Sequence, residues 1–217
     1  MPSHQRGFTL VEIAVVLVVI GLLLGGALKG QELIHSARVK SLATELRTLP
    51  TMIYTYQDRF RSLPGDDPKA DTHLQNGTKA STPTGTLGNG TLNGAWNSGT
   101  QTDESYLFWQ HVRLAGLSSG SSTPGNADYL PRNAEGGLMG ITGGASSPIK
   151  TLAGTFIACS QGISGRYAKQ IDTMMDDGDS RTGSVQVMEN ASGTTSTAAD
   201  PVENPLDQSS YTVCYAF

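Results

Sequence analysis

Gly7-Phe8-Thr9-Leu10-Val11-Glu12-Ile13-Ala14-Val15-Val16-Leu17-Val18-Val19-Ile20-Gly21-Leu22-Leu23-Leu24 sets one carboxylate, Glu12, near the start of an otherwise uncharged apolar run. From Phe8 to Leu28 there are 21 residues with that single charge. At a helical rise of roughly 1.5 Å per residue they reach about 30 Å, the thickness of the hydrocarbon core of a bilayer. A lone carboxylate in hydrocarbon costs several kcal/mol, so Glu12 calls for a cation. Cutting the chain after Gly7 would free the α-amine of Phe8 four residues before Glu12, a spacing that makes neighbours on a helix.

Arg6-Gly7-Phe8-Thr9-Leu10-Val11-Glu12 and the apolar stretch behind it resemble the leader and anchor of type IV prepilins and of the related type II secretion pseudopilins, over roughly residues 1–30. The resemblance implies that a membrane-embedded prepilin peptidase cleaves after Gly7 and methylates the new terminus at Phe8. It also implies that Glu12 meets the amine of a neighbouring subunit in a filament. A secretory signal peptide would likewise start positive and turn apolar, but it should end in an Ala-x-Ala-like cleavage site, for which Gly25-Gly26-Ala27 is a loose substitute. A plain single-span anchor explains neither Gly7-Phe8 nor Glu12. Gly21 and Gly25, and again Gly26 and Gly30, sit four apart in the pattern that lets helices approach closely in apolar surroundings. These glycines join Glu12 as the candidate assembly residues. Pilin-like relatives often carry a proline near the position held here by Lys29, and the glycines are the candidates to supply its flexibility.

Past the anchor, Val39, Leu42, Leu46, Leu49, Ile53, Tyr56 and Phe60 recur at spacings of 3, 4, 3, 4, 3 and 4. That 3.5-residue stripe, with polar residues between, predicts an amphipathic helix packed under a sheet, with a coiled-coil dimer as the lesser reading. Phe8 to about Ser62 would then be one element, with a bend expected at Pro50 and a stop at Leu63-Pro64-Gly65-Asp66.

Composition bounds the remainder. The chain has 217 residues, 26 of them glycine and 6% aromatic, which predicts one domain with much turn and loop. Net charge is −4, and −5 without Arg6. No basic stripe appears, so there is no strong nucleic-acid signal. Asn76 to Gln101 is a Gly, Asn, Thr and Ser run and reads as a long loop, a candidate partner-facing surface or a solvated insertion. Asn76, Asn89 and Asn190 begin triplets of the N-glycosylation type, common by chance in such sequence. Glu104 to Leu117 predicts a short buried helix, in which His111 stands without a second ligand or acid at a matching spacing. Gly116 to Gly144 reads as loop, with Tyr129-Leu130-Pro131 as a docking point. Leu152–Ser160, Arg166–Ile171, Ser184–Met188 and Tyr211–Phe217 carry strand-like or short apolar patterns, the second of which also fits a helix.

Cys159 and Cys214 are the two cysteines. An outward-facing domain lies in an oxidising space, where two cysteines pair; two free core thiols are the alternative. In the resembled family a disulfide often ties the C-terminal region to the sheet, and this pair fits that pattern. Asp172 precedes Asp176-Asp177-Gly178-Asp179-Ser180, four acids in eight residues. Asp176, Asp177 and Asp179 are therefore calcium candidates, although Arg181 intrudes and no glutamate closes a twelve-residue calcium loop. Apart from this, no cofactor is expected.

No catalytic residues emerge. Gly162-Ile163-Ser164-Gly165 is not a nucleophile elbow, and no Gly-rich phosphate loop with a lysine occurs. The chain reads as the substrate of an enzyme, the peptidase. The expectation is an α+β, pilin-like fold: a long N-terminal helix packed on a small antiparallel sheet. Residues 1–7 are the leader, 8–30 the transmembrane and filament-core half of the helix, 31–62 its amphipathic half, and 63–217 a globular domain with long loops. The implied partners are copies of itself or related pilins, the prepilin peptidase, an inner-membrane assembly platform and the membrane. The implied location is the bacterial inner membrane as precursor, then a surface filament, or a periplasmic one for a pseudopilin. A minor pilin for adhesion or DNA uptake, and a membrane-tethered binding module, are the other readings.

Overall fold

The structure, a computed structural model, describes residues 9–190 and 198–217. The chain divides into two compact units, Met1–Val39 and Lys40–Phe217. One helix, α1 (Leu10–Phe60), begins in the first and ends in the second. After it come α2 (Ala70–His73), α3 (Glu104–Leu114), β1 (Met139–Gly143), a 3-10 turn (Gly144–Ser146), β2 (Phe156–Ser164), α4 (Gly165–Met175), β3 (Val185–Glu189) and β4 (Ser210–Ala216). The arrangement is α+β, with a long N-terminal helix and a four-stranded antiparallel sheet of order β1-β2-β4-β3.

In the first unit α1 is apolar all round and exposed, from Leu10 at 89% to Leu28 at 66%. Among the described residues it is the one helix long and apolar enough to cross a membrane. In the second unit the same helix carries the predicted stripe, and Leu42, Leu46, Leu49, Ile53 and Tyr56 are fully buried. Tyr56 and Phe60 pack with Leu74, Leu114, Ala115 and Leu117, and the Arg59 guanidinium donates to the Ala115 carbonyl at 3.1 Å. Pro50 sits inside the helix. The helix ends where Arg61 adopts φ +55° and its N–H donates to the Gln57 carbonyl, a left-handed C-terminal cap.

The strand expectations hold in part. Ser184–Met188 and Tyr211–Phe217 correspond to β3 and β4, each within one residue, while Leu152–Ser160 lies four residues early for β2. Arg166–Ile171 is helical, inside α4. Its buried residues Tyr167, Ala168, Ile171 and Asp172 recur with helical spacing, and that periodicity outweighs the short apolar look. β1 lies in the stretch expected to be loop. Its five residues are all buried, so no polar alternation marks it. A Cβ on Gly140 would run into the Trp96 carbonyl, which explains a glycine inside a strand.

Cys159 and Cys214 face each other across β2 and β4 and form a disulfide. They lie in the core with Trp96, Ile149, Leu152, Ile157, Met188 and Ala216. Both sheet edges are covered, as exposed edges invite unwanted pairing. Along β1 runs the glycine-rich loop: Gly143 N–H donates to the Leu92 carbonyl at 2.7 Å and Thr142 Oγ1 to the Gly94 carbonyl at 2.7 Å. Along β3, Val187 N–H donates to the Ser180 carbonyl and Val202 N–H to the Val187 carbonyl.

Candidate functional site

Three places hold the residues singled out by sequence. The first is the N-terminal end of α1. Gly7 and Phe8 lie outside the described residues, and Glu12 lies within them. Its Oε2 accepts the Thr9 N–H and the Thr9 hydroxyl, both at 2.8 Å, while the Glu12 N–H donates to Thr9 Oγ1 at 3.2 Å. This is a reciprocal capping box, and the signal for it, Thr9-x-x-Glu12, stands in the sequence. Glu12 thus has a partner inside its own chain as well as the amine expected next door. A Cβ on Gly21, Gly25, Gly26 or Gly30 would meet no atom within 4 Å. Nothing in the packing of the described residues demands glycine there.

The second place is the region around the glycine-rich loop. Residues 76–101 contain no named helix or strand, as expected, yet Leu92 and Trp96 are buried. Three acids hold the loop, and sequence reading missed all three. Asp66 accepts the N–H groups of Gly88 and Gly90. Glu104 accepts Thr86 Oγ1 at 2.6 Å and the Asn93 N–H at 2.7 Å. Asp103 accepts the Thr82 and Ser98 hydroxyls. Beside them, fully buried Asp67 accepts the Tyr56 hydroxyl at 2.8 Å and contacts His73 Nδ1 at 2.7 Å. The one advance signal was the acid pair in Pro64-Gly65-Asp66-Asp67-Pro68.

His111 belongs to the same polar interior. Its Nδ1 accepts the Gly65 N–H and its Nε2 faces the Thr78 carbonyl, both at 2.8 Å, which makes Nε2 the protonated nitrogen. Burial pushes its pKa below the ordinary histidine range. It is a satisfied core histidine with no catalytic geometry around it. Tyr129 is buried, as a docking residue should be; its hydroxyl donates to the Tyr106 carbonyl, and its carbonyl accepts Arg113 Nη1. Of the asparagine triplets, Asn89 accepts the N–H and hydroxyl of its own Thr91. Asn190 bonds to Ser210 and Thr212, and the rest of its triplet lies outside the described residues.

The third place is the end of α4 and the turn that follows. Asp172, Asp176 and Asp177 each bring a carboxylate oxygen to within 4.8 Å of the others. Asp179 is turned to Arg181, whose Nε lies 3.2 Å from its Oδ1. The structure therefore groups Asp172 with Asp176 and Asp177 and leaves Asp179 outside. Asp176 accepts the N–H groups of Ser184 and Val185. Asp177 accepts the Asp179 N–H at 2.9 Å and the Thr182 hydroxyl at 2.7 Å. Asp172 is completely buried, and neither of its oxygens has a hydrogen-bond partner among the described residues. Its pKa is pushed up to about 6, by burial first and by the charge of Asp177 next. The Gly178 N–H faces it and draws the value down without completing a hydrogen bond.

Among known proteins, the family model described as the prokaryotic N-terminal methylation motif matches residues 2–28. The segment from the leader to Leu28 thus carries the type IV pilin and pseudopilin signature. No curated protein and no solved structure matches the chain. The motif implies a structural subunit, processing by a prepilin peptidase and membrane insertion of a precursor.

Proposed function

We propose that this chain is a subunit of a type IV pilus or a related filament. It enters the inner membrane as a prepilin, is cut after Gly7, is methylated on Phe8, and assembles by packing the N-terminal helix against copies of itself or related pilins on an inner-membrane platform. The observation that carries this reading is the methylation motif over residues 2–28 running into a helix whose apolar side chains are exposed on every side. Such a surface needs apolar surroundings, first lipid and then the same helix of neighbouring subunits. Gly21, Gly25, Gly26 and Gly30, unused inside the chain, suit that close approach.

The capping box gives the charge of Glu12 a sharp test. Glutamine at the same place keeps the box but removes the charge, whereas alanine removes both. If Glu12 is the counterion of a neighbouring amine, Glu12→Gln abolishes fibres as completely as Glu12→Ala, while both mature chains begin at methylated Phe8 by mass spectrometry. Fibres of normal abundance in Glu12→Gln would leave Glu12 as a helix cap only. A mature chain with its leader intact, made in its native host, would overturn the whole reading.

A further inference from the structure

Where α1 ends, a cleft of about 490 Å³ opens between the helix and the glycine-rich loop, a volume within the roughly 300–1,000 Å³ of sites for small organic ligands. Its walls carry Gln57 and Arg61 from the helix end, Ser62, Leu63, Asp66 and Pro68 from the segment that follows, and the loop at Gly88 and Gly90. Arg61 occupies a backbone position suited to another residue. At φ +55° it is the left-handed cap of α1, where glycine avoids the Cβ clash that arginine meets. Folding alone would favour glycine there. The arginine instead brings a guanidinium to the cleft, and that guanidinium is available. Its ion-pair partner Asp58 is 3.8 Å away, and the two side chains are 83% and 85% exposed, so solvent screens the pair.

We infer that this cleft binds a sugar acid, its carboxylate on Arg61 and its hydroxyls on Asp66, Gln57 and Ser62. A guanidinium takes a carboxylate through two parallel hydrogen bonds. An ionised carboxylate such as Asp66 only accepts, so the ligand must bring donors as well as an anion. Asp66 is buried and already accepts the Gly88 and Gly90 amides. Its charge is thereby shared with the loop, which suits a neutral hydroxyl better than an ammonium, and an oxygen that accepts one amide keeps a lone pair for a second donor. Gln57 and Ser62 can each donate and accept, as neighbouring hydroxyls require. Leu63 and Pro68 give the cleft an apolar side for the C–H face of a ring, and no aromatic side chain among the described residues lines it to stack on a planar ligand. The chain carries a net charge of −4, so the overall field does not draw an anion here; the local guanidinium must. The cleft lies within the unit Lys40–Phe217, and the inference does not depend on filament assembly.

The test titrates the full chain in detergent micelles by calorimetry with trigalacturonate and with trimannuronate, uronic acids of the plant-wall and bacterial-matrix types, against maltotriose as the neutral sugar and acetate as the anion alone. At least one uronate should bind with a Kd of about 1 mM or tighter, and the tighter of the two identifies the source. Maltotriose and acetate should bind at least about tenfold more weakly, because each lacks half of what the cleft recognises. Arg61→Gly should weaken uronate binding at least about tenfold while the melting temperature of the free protein holds or rises, since glycine relieves the left-handed position. Gln57→Ala should cost about threefold. Lys150→Ala removes an exposed cation that does not line the cleft and should leave binding within about twofold. No heat from either uronate up to about 10 mM, or undiminished uronate binding in Arg61→Gly, overturns the site. Acetate binding as tightly as the uronates overturns the ligand class, and an equal loss in Lys150→Ala and Arg61→Gly would reduce the binding to unspecific charge attraction.

Discussion

Two stretches of one helix treat apolar side chains in opposite ways. In residues 10–34 of α1 the large apolar side chains are exposed by 45% or more, whereas in residues 40–60 Leu42, Leu46, Leu49, Ile53 and Tyr56 are covered to within about one per cent. The difference lies in pattern rather than in amount. Through Leu28 leucine, valine and isoleucine surround the first stretch, with Glu12 its one charge, so no single packing partner could cover it. The second confines them to one stripe, which the unit Lys40–Phe217 buries itself. A helix apolar on all sides is made for lipid or for several helical neighbours; one with a stripe is made for its own core. The first stretch therefore calls for apolar surroundings, and the second serves folding.

The largest expected effect sharpens that contrast from the folding side. The Cys159–Cys214 bond closes a separation of 55 residues, so replacing both with alanine should cost about 4 kcal/mol in the chain-entropy account. Chemical denaturation should show that loss in the unfolding of the sheet unit. Cleavage after Gly7 and membrane insertion should stay as they were, and a processing defect would break the separation of roles. Next in size is a matched pair on α1. Leu46→Ala empties a fully buried position and should cost about 3 kcal/mol. Leu17→Ala, at 64% exposure, should leave the unfolding of the sheet unit unchanged and lower fibre yield. Equal destabilisation by the two would show that residue 17 is covered within its own chain.

How much of this was readable in advance follows the same divide. The long helix, its two halves, the short helix at Glu104 and the two last strands were legible because their patterns are local. Hydropathy, a 3.5-residue stripe and alternation need no tertiary information. β1 was hidden because both its faces are buried and Gly140 yields to the Trp96 backbone. The hold of Asp66, Asp103 and Glu104 on the glycine-rich loop was hidden because it joins residues that are 5 to 24 apart in sequence. At the acidic turn after α4 the run Asp176-Asp177-Gly178-Asp179 stood out in the sequence, whereas the structure groups Asp172, not Asp179, with Asp176 and Asp177. Asp172 lies one helical turn before Asp176 and faces the same way, a relation visible only once α4 is known to be a helix rather than a strand. The capping role of Glu12 was legible in Thr9-x-x-Glu12, and the membrane context drew attention away from it.

The smallest expected effect concerns the polar seal below the buried half of α1, which has no counterpart in the exposed half among the described residues. Two adjacent buried acids there respond to pH in opposite senses. For Asp67, burial acts upward, but hydrogen bonds from His73, the Lys69 amide and Tyr56 prevail and hold its pKa below the ordinary 3.8. Its stabilisation is complete above 3.8 and is lost as pH falls through the lower folded value. For Asp66, burial prevails over the Gly88 and Gly90 amides, the charge of Glu104 adds to it, and the pKa rises above 3.8. Between 3.8 and that raised value the folded state binds more protons than the unfolded one, so stability declines as pH rises through the window. In the unaltered protein the two windows adjoin, so this pair of acids places a stability maximum near 3.8. Asp67→Asn should lose the fall in melting temperature that sets in as pH drops below 3.8 and keep the decline above it, whereas Asp66→Asn should lose the decline above 3.8 and keep the fall below it. The comparison rests on slope, because each substitution also shifts the overall level by disturbing hydrogen bonds. Parallel profiles for the two variants would mean that these carboxylates do not govern the acid response of the seal.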